Sequence, residues 1–254
     1  MSEVTVISLT RNRPNLLPRA IKSVASQTVA ASIHHLIVVD DCSETRDLLE
    51  TNAWPPNLSW VTIPRVANDV SGPGRAAVLR NIGVRRAESP WISFLDDDNE
   101  FETDHIESLI DLAKGTGRRA VHSWLRMYHS DGSPYLVEQD PWTRDPEYAH
   151  EKYLEMVSKG VRTPGSNVFQ DRADCFQTAA PVLSVDTGEW LLSRQLLLEI
   201  PIPEAYTPDD WRQMRTEDDK FLEVLANSGE AVACTMKPTL RYYLGGYSNN
   251  FSRA

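Results

Sequence analysis

Cysteine is scarce: Cys42, Cys175 and Cys234 are the only three in 254 residues. They are too few and too scattered for a disulfide framework or a zinc site, so a reducing, cytoplasmic setting is expected. Long apolar runs are also missing, and no stretch approaches the length that crosses a bilayer. The opening Met-Ser-Glu-Val-Thr-Val-Ile-Ser-Leu has no basic segment and too short an apolar run for a secretory signal. A soluble protein with no transmembrane segment is therefore expected. Positive charge is in deficit, with a net charge of -10. That argues against non-specific binding to nucleic acid or to an anionic membrane. It leaves room for local arginines or a bound cation to hold an anionic substrate. Residues 8–14 contain no glycine, which excludes a glycine-rich phosphate loop after the first strand. No internal repeat or low-complexity tract is present, and a homodimer is compatible with these features.

What is there alternates. Val4 to Leu9 is a β-branched run with the look of a buried strand. Pro14 stands where a helix can begin, and Leu16, Leu17, Ala20, Ile21, Val24 and Ala25 mark one apolar face. Leu36 to Val39 is a second strand, closed by Asp40-Asp41-Cys42-Ser43. Strand, helix, strand is a βαβ unit and favours a parallel sheet. Leu58 to Ile63, a helix over 75–87 and Trp91 to Leu95 repeat the pattern, and Asp96-Asp97-Asp98-Asn99 stops the last strand. Beyond Lys114 the pattern weakens. A hairpin is expected over 122–137 around Asp131-Gly132, mostly loop over 138–174 with a short helix from Tyr148 to Ser158, partial helix over 190–200, and a helix over 217–227. The chain divides into a nucleotide-type half, 1–115, and a less regular half, 116–254, within one continuous domain.

Ligands of open parallel sheets bind outside the carboxyl ends of the strands. Thr10-Arg11-Asn12-Arg13, Asp40-Asp41 and Asp96-Asp97-Asp98 all fall at such ends. Singly, each reads as a solvated loop; on one rim, they read as a site. Three consecutive carboxylates repel one another, a cost that a cation would remove. Mg2+ or Mn2+ suits such oxygen ligands, with phosphate oxygens and water completing the shell.

Five stretches together resemble the family two glycosyltransferases of the GT-A fold. They are Val-Thr-Val-Ile-Ser-Leu-Thr-Arg-Asn-Arg-Pro (4–14), Ala-Ile-Lys-Ser-Val-Ala-Ser-Gln-Thr (20–28), Leu-Ile-Val-Val-Asp-Asp-Cys-Ser (36–43), Arg-Asn-Ile-Gly-Val (80–84) and Trp-Ile-Ser-Phe-Leu-Asp-Asp-Asp-Asn (91–99). The resemblance implies an α/β fold with a Rossmann-like, mostly parallel central sheet flanked by helices and a C-terminal acceptor-binding half. It implies an inverting transfer of one sugar from a nucleotide-sugar, a UDP-sugar by preference, to an acceptor hydroxyl with Mn2+ or Mg2+. By position, Thr10 and Arg13 approach the nucleotide, Asp41 accepts from the base, and Arg75 or Arg80 contacts the diphosphate. Asp97 lies near the ribose, Asp98 ligates the metal, and Asp96 is supportive. Thr-Glu-Asp-Asp-Lys-Phe (216–221) resembles the family's acidic motif, which makes Asp218 the expected general base. The bland reading of that motif is acid enrichment at a helix N-terminus. Glu189 and Trp190 fall where the family meets its acceptor, and Trp190 reads equally well as core.

Three features depart from the family. No histidine follows His150, so a late histidine ligand is absent. Cys42 stands where glycine is usual after the paired aspartates, and is expected to be a small buried side chain. The processive members' Gln-x-x-Arg-Trp signature is missing, which points to single transfer. Of the rival readings, a haloacid dehalogenase-type phosphatase would carry its aspartates after the first strand, and a nucleotidyltransferase would need a glycine-rich first loop. A sugar-nucleotide-binding protein without catalysis would keep Asp41 and Asp98 and lose the base.

Overall fold

The structure, a computed structural model, describes residues 2–67, 69–173 and 184–246. The first four strands are β1 (Val4–Thr10), β2 (Ile33–Asp40), β3 (Leu58–Ile63) and β4 (Trp91–Phe94), with helices α1 (Leu17–Ala25), α2 (Ser43–Thr51) and α3 (Gly72–Arg86) between them. Then follow β5 (Glu100–Phe101), α4 (His105–Thr116), β6 (Ala120–Tyr128), α5 (Pro146–Ser158) and β7 (Val168–Phe169). The remainder is β8 (Trp190–Ser193), α6 (Arg194–Glu199), α7 (Pro208–Arg212), α8 (Glu217–Ser228) and β9 (Val232–Tyr243).

One sheet runs through both halves of the sequence in the order β3-β2-β1-β4-β8-β6-β9-β5, with β7 beside β6. β3, β2, β1 and β4 are parallel, and the register Val4↔Ile33 to Thr10↔Val39 ends β1 level with the end of β2. Ile7 pairs with Phe94, so the residues after β4 arrive at the same carboxyl edge. β8 is inserted antiparallel between β4 and β6, with Ser93 opposite Leu191. The direction of β8 matters for function: its N-terminal approach, Thr187–Glu189, lies at the carboxyl end of β4.

Apolar side chains cover both faces. Ile7, Val38, Phe94, Trp190, Leu192, Phe221 and Leu225 share one cluster under α3, α6 and α8. Val4, Val6, Ile106, Leu109, Ile110 and Val121 form a second one under α4. α3 approaches β1 so closely that a Cβ on Gly83 would stand 2.7 Å from Ile7 Cγ2.

Several expectations change. The expected hairpin is a turn without a second strand. Gly132 takes φ +86, the His129 N–H donates to the Ser133 carbonyl, and only Tyr128↔Pro134 bridges. Pro134 lacks a donor N–H, and β6 takes β7, β8 and β9 as neighbours instead. Residues 190–193 form a strand before the helix begins at Arg194. α2, β5 and β9 were not expected. Among the described residues no helix is long and apolar enough to cross a membrane. Cys42 is buried beside the Thr45 hydroxyl, and neither it nor Cys234 forms a disulfide among the described residues; Cys175 lies outside them.

Candidate active site

At the end of β2 the two aspartates part company. Asp40 is buried and draws arginines from three segments. Arg75 Nε donates to its Oδ1 at 2.9 Å, Arg65 Nε donates to its Oδ2 at 3.1 Å, and Arg11 Nη1 stands 3.9 Å away. Asp41 is exposed and takes φ +46, a left-handed turn that aspartate tolerates better than most residues. Arg75 is further tied to Asp69 Oδ2 at 2.8 Å and to the carbonyl of Ile63 at 3.3 Å. Of the two arginines expected near a diphosphate, Arg75 has a buried guanidinium that holds the end of β2. Arg65 is the residue sequence reasoning passed over here, and Asp40 enters that reading only as part of the rim cluster.

The 96–98 run is the second group on the rim. Arg13 Nη1 donates to Asp97 Oδ1 at 3.0 Å and to Asp98 Oδ2 at 2.5 Å. Arg80 Nη2 donates to Asp96 Oδ1 at 2.8 Å, and Arg19 donates to the Asp98 carbonyl. The protein's own arginines thus offset much of the repulsion that the sequence alone assigned to a cation. The offset is incomplete. Burial pushes the Asp97 carboxyl up to about 7, against the pull of Arg13, and the Thr10 hydroxyl lies beside it. Asp98 is also raised, by burial and then by Asp96.

The residues present fit a hard divalent cation as part of a shell. Carboxylate oxygens of Asp96 and Asp98 are the right donors, and their residual mutual repulsion is what a cation relieves. Among the described residues no three His, Cys, Asp or Glu side chains enclose such an ion. A diphosphate would have to supply much of the coordination.

The third group comes from the second half of the chain. Three consecutive acids open α8, and each has a different task. Asp219 closes a capping box, its Oδ2 accepting from Thr216 N–H at 2.8 Å. Glu217 accepts from Arg80, the same guanidinium that holds Asp96. Asp218 accepts from the Thr187 hydroxyl and lines a small cavity with Phe94, Trp190, Leu192 and Phe221. Its carboxyl is held well above the ordinary range by burial, then by Glu217 and Asp186, with Arg80 opposing. Once ionised, such a carboxyl is a stronger base than an ordinary aspartate, and Arg80 is the group that favours its ionised form.

Glu189 and Trp190, the two expected acceptor contacts, are both buried. Trp190 is 1% exposed, edge-on to Phe221 at 6.4 Å and tilted against His122 at 5.2 Å. Glu189 is fully buried, accepting the Asp186 N–H at 2.9 Å. Trp190 lines the cavity at Asp218, and Glu189 lies behind the turn that carries Thr187. Thr187 is the residue that sequence reasoning missed. Only the antiparallel entry into β8 brings it to Asp218.

Acidic groups along the carboxyl edge of a largely parallel sheet, faced by the half-buried Asp218 carboxyl, stand where α/β proteins of this kind bind their ligands. Residues 5–176 match the sequence profile of glycosyl transferase family 2, and the chain belongs to that family. It is 31% identical over 134 residues to the succinoglycan biosynthesis protein ExoO of Rhizobium meliloti, covering 51% of this chain and 35% of that protein. It is 29% identical over 118 residues to the poly(ribitol-phosphate) beta-N-acetylglucosaminyltransferase TarP of Staphylococcus aureus, covering 45% of this chain and 34% of that one. The chain thus spans about a third of the length of these relatives. The fold is GT-A. It is shared with S. aureus TarS 1-349 in complex with UDP-GlcNAc (TM-score 0.58, 15% identity, covering 99% of this chain and 61% of that one). It is shared also with the mannosyltransferase PcManGT of Pyrobaculum calidifontis in complex with GDP-Man and Mn2+ (TM-score 0.61, 13% identity, covering 99% and 60%).

Proposed function

We propose that the chain transfers a single sugar, with inversion, from a nucleoside diphosphate sugar to an acceptor hydroxyl, and that a UDP-sugar is the donor. The observation that carries this reading is Arg80. One guanidinium holds Asp96 of the aspartate run and Glu217 beside Asp218, so the donor-side acids and the base form one unit.

Asp218 takes the proton of the acceptor hydroxyl as that oxygen bonds to the anomeric carbon. The bond between that carbon and the phosphate oxygen breaks on the opposite face, and its electrons leave with the nucleoside diphosphate. Thr187 donates to one Asp218 oxygen and leaves the rest of the carboxyl for the proton. Thr10, Arg13, Asp41 and Asp97 line the nucleotide side, and Arg80 steadies Asp96 near the diphosphate. Mn2+ or Mg2+ held by Asp98 would supply Lewis-acid stabilisation of the charge on the leaving diphosphate. The GDP-Man and Mn2+ complex of PcManGT supports a divalent ion in this fold.

The test is a panel of UDP-, GDP- and dTDP-sugars with and without Mn2+, scored for binding and for released nucleoside diphosphate. Asp218→Asn is expected to bind donor normally and to lose transfer by about a hundredfold or more. Asp98→Ala is expected to lose metal-dependent donor binding. Equal loss of binding in both variants contradicts this division of labour, and no binding by any donor sinks the reading altogether.

A further inference from the structure

The turn that presents Thr187 to Asp218 is held from behind by carboxyl groups that do not reach the rim. Asp186 Oδ1 accepts from Gly188 N–H at 2.8 Å, and Glu189 Oε1 accepts from Asp186 N–H at 2.9 Å. The two bonds form a reciprocal cap around a single 3-10 turn. Glu189 is 0% exposed and Asp171, on the segment after β7, is 2% exposed. The two carboxyls lie within hydrogen-bonding reach of each other, and Ser184 also hydrogen-bonds to Asp171; among the described residues no donor reaches Glu189 Oε2 or Asp171 Oδ1. Two bare carboxylates have no hydrogen to share. At this depth they would also carry desolvation and mutual repulsion together.

We infer that Asp171 and Glu189 are a proton-sharing acid pair, and that the pair is a positioning device that keeps Thr187 on the Asp218 carboxyl. The inference rests on the reading of Asp218 as the base. Glu189 carries the proton and donates it toward Asp171, while its other oxygen stays on the Asp186 N–H. Burial pushes Asp171 up to about 6 and Glu189 well above the carboxylate range, in keeping with one retained proton. Several charged groups face the pair. Arg162 favours the anionic form of Asp171, and Asp186 on the same turn disfavours a second charge. Behind Asp186 stand Arg80 and Asp96, and Asp186 in turn bears on Asp218. Loss of the shared proton at high pH would set two anions against each other beneath the turn. Glu189 would then release Asp186, and Thr187 would release Asp218.

Two measurements on the full chain test this. Carboxyl-carbon NMR of the unliganded protein, with Glu189→Gln assigning the resonance, is expected to find Glu189 protonated at neutral pH. Turnover is followed as nucleoside diphosphate released from UDP-GlcNAc or GDP-mannose with Mn2+. Glu189→Gln keeps both hydrogen bonds without a titrating proton. It is expected to stay within about twofold of the parent kcat near neutrality and to lose the alkaline decline. Glu189→Ala is expected to lower kcat about tenfold with donor KM unchanged, because only orientation is lost. An ionised Glu189 at neutral pH, or an unchanged alkaline decline in Glu189→Gln, overturns the pair. Turnover that survives Asp218→Asn, or no turnover of either donor, counts against the base reading instead, and the NMR titration then still decides the pair.

Discussion

Arg80 joins carboxylates from opposite halves of the sequence, and a single substitution there leaves both Asp96 and Glu217 without their cation. Removing one member of a buried ion network costs more than the network contributes, because the remaining charges stay desolvated. Arg80→Met is expected to lower stability to urea by about 3 kcal/mol. Arg80→Lys keeps the charge but not the fork, so its loss should be smaller. Equal losses would mean that the forked geometry is irrelevant. Asp186 makes a second test at this scale. Burial, then Asp96, raises its carboxyl from 3.8 to about 7. Below the lower value both folded and unfolded chains hold the proton, so the group is neutral toward stability. As pH rises from 3.8 to about 7 the unfolded chain gives the proton up first, and stability falls across that window. Asp186→Asn keeps the acceptor for Gly188 N–H and has no proton to lose. It should be more stable than the parent above the window and equal to it below. An offset that does not change with pH would exclude buried charge as the cause.

Helix α3 and strand β1 meet with no room to spare, and the same substitution should have opposite signs in two helices. Alanine in place of glycine ordinarily favours a helix by up to about 1 kcal/mol. A Cβ added at Gly115 in α4 would meet nothing within 4 Å, so Gly115→Ala should raise the thermal midpoint. Gly83 would put that atom 2.7 Å from Ile7 Cγ2. Overpacking of this kind costs roughly 1–3 kcal/mol, so Gly83→Ala should lower the midpoint despite the better propensity. If both variants moved the same way, close packing of α3 on β1 would not be limiting. These elements were legible in sequence for a simple reason. β1, β2 and β4 are short apolar runs each stopped by polar residues, and that is where a parallel sheet keeps its ligand edge. β8 was not legible, because Trp-Leu-Leu ahead of further leucines fits a buried strand and a buried helix equally well. β9 was hidden by Pro238 and by Met236 at φ +55, which break its alternation. Thr187 and the partnership of Arg80 with Glu217, 137 positions apart, depend on those unseen strands. The aspartate run could be read in advance, whereas the groups that hold it could not.

For the whole molecule, the proposed transfer requires an acidic protein of net charge -10 to hold an anionic donor at an acidic rim. Arg13 already serves Asp97 and Asp98, and Arg80 serves Asp96 and Glu217. A nucleoside diphosphate alone would add negative charge beside carboxylates whose arginines are occupied. A divalent cation alone would compete with Arg13 for Asp98. Bound together, their charges largely cancel, and each lowers the cost of the other. UDP and Mn2+ should therefore stabilise the fold cooperatively, beyond the sum of their separate effects. A ligand present at a hundred times its dissociation constant adds about 2.7 kcal/mol. For a chain of this size that is a rise of roughly 5–10 °C in the thermal midpoint. Asp98→Ala should abolish the cooperative part while leaving any weak effect of UDP. Asp218→Asn should retain it, because the proposed base is not needed to hold the donor. If UDP alone raises the midpoint as far as UDP with Mn2+, the arginines suffice for the diphosphate and the metal has no part in binding it.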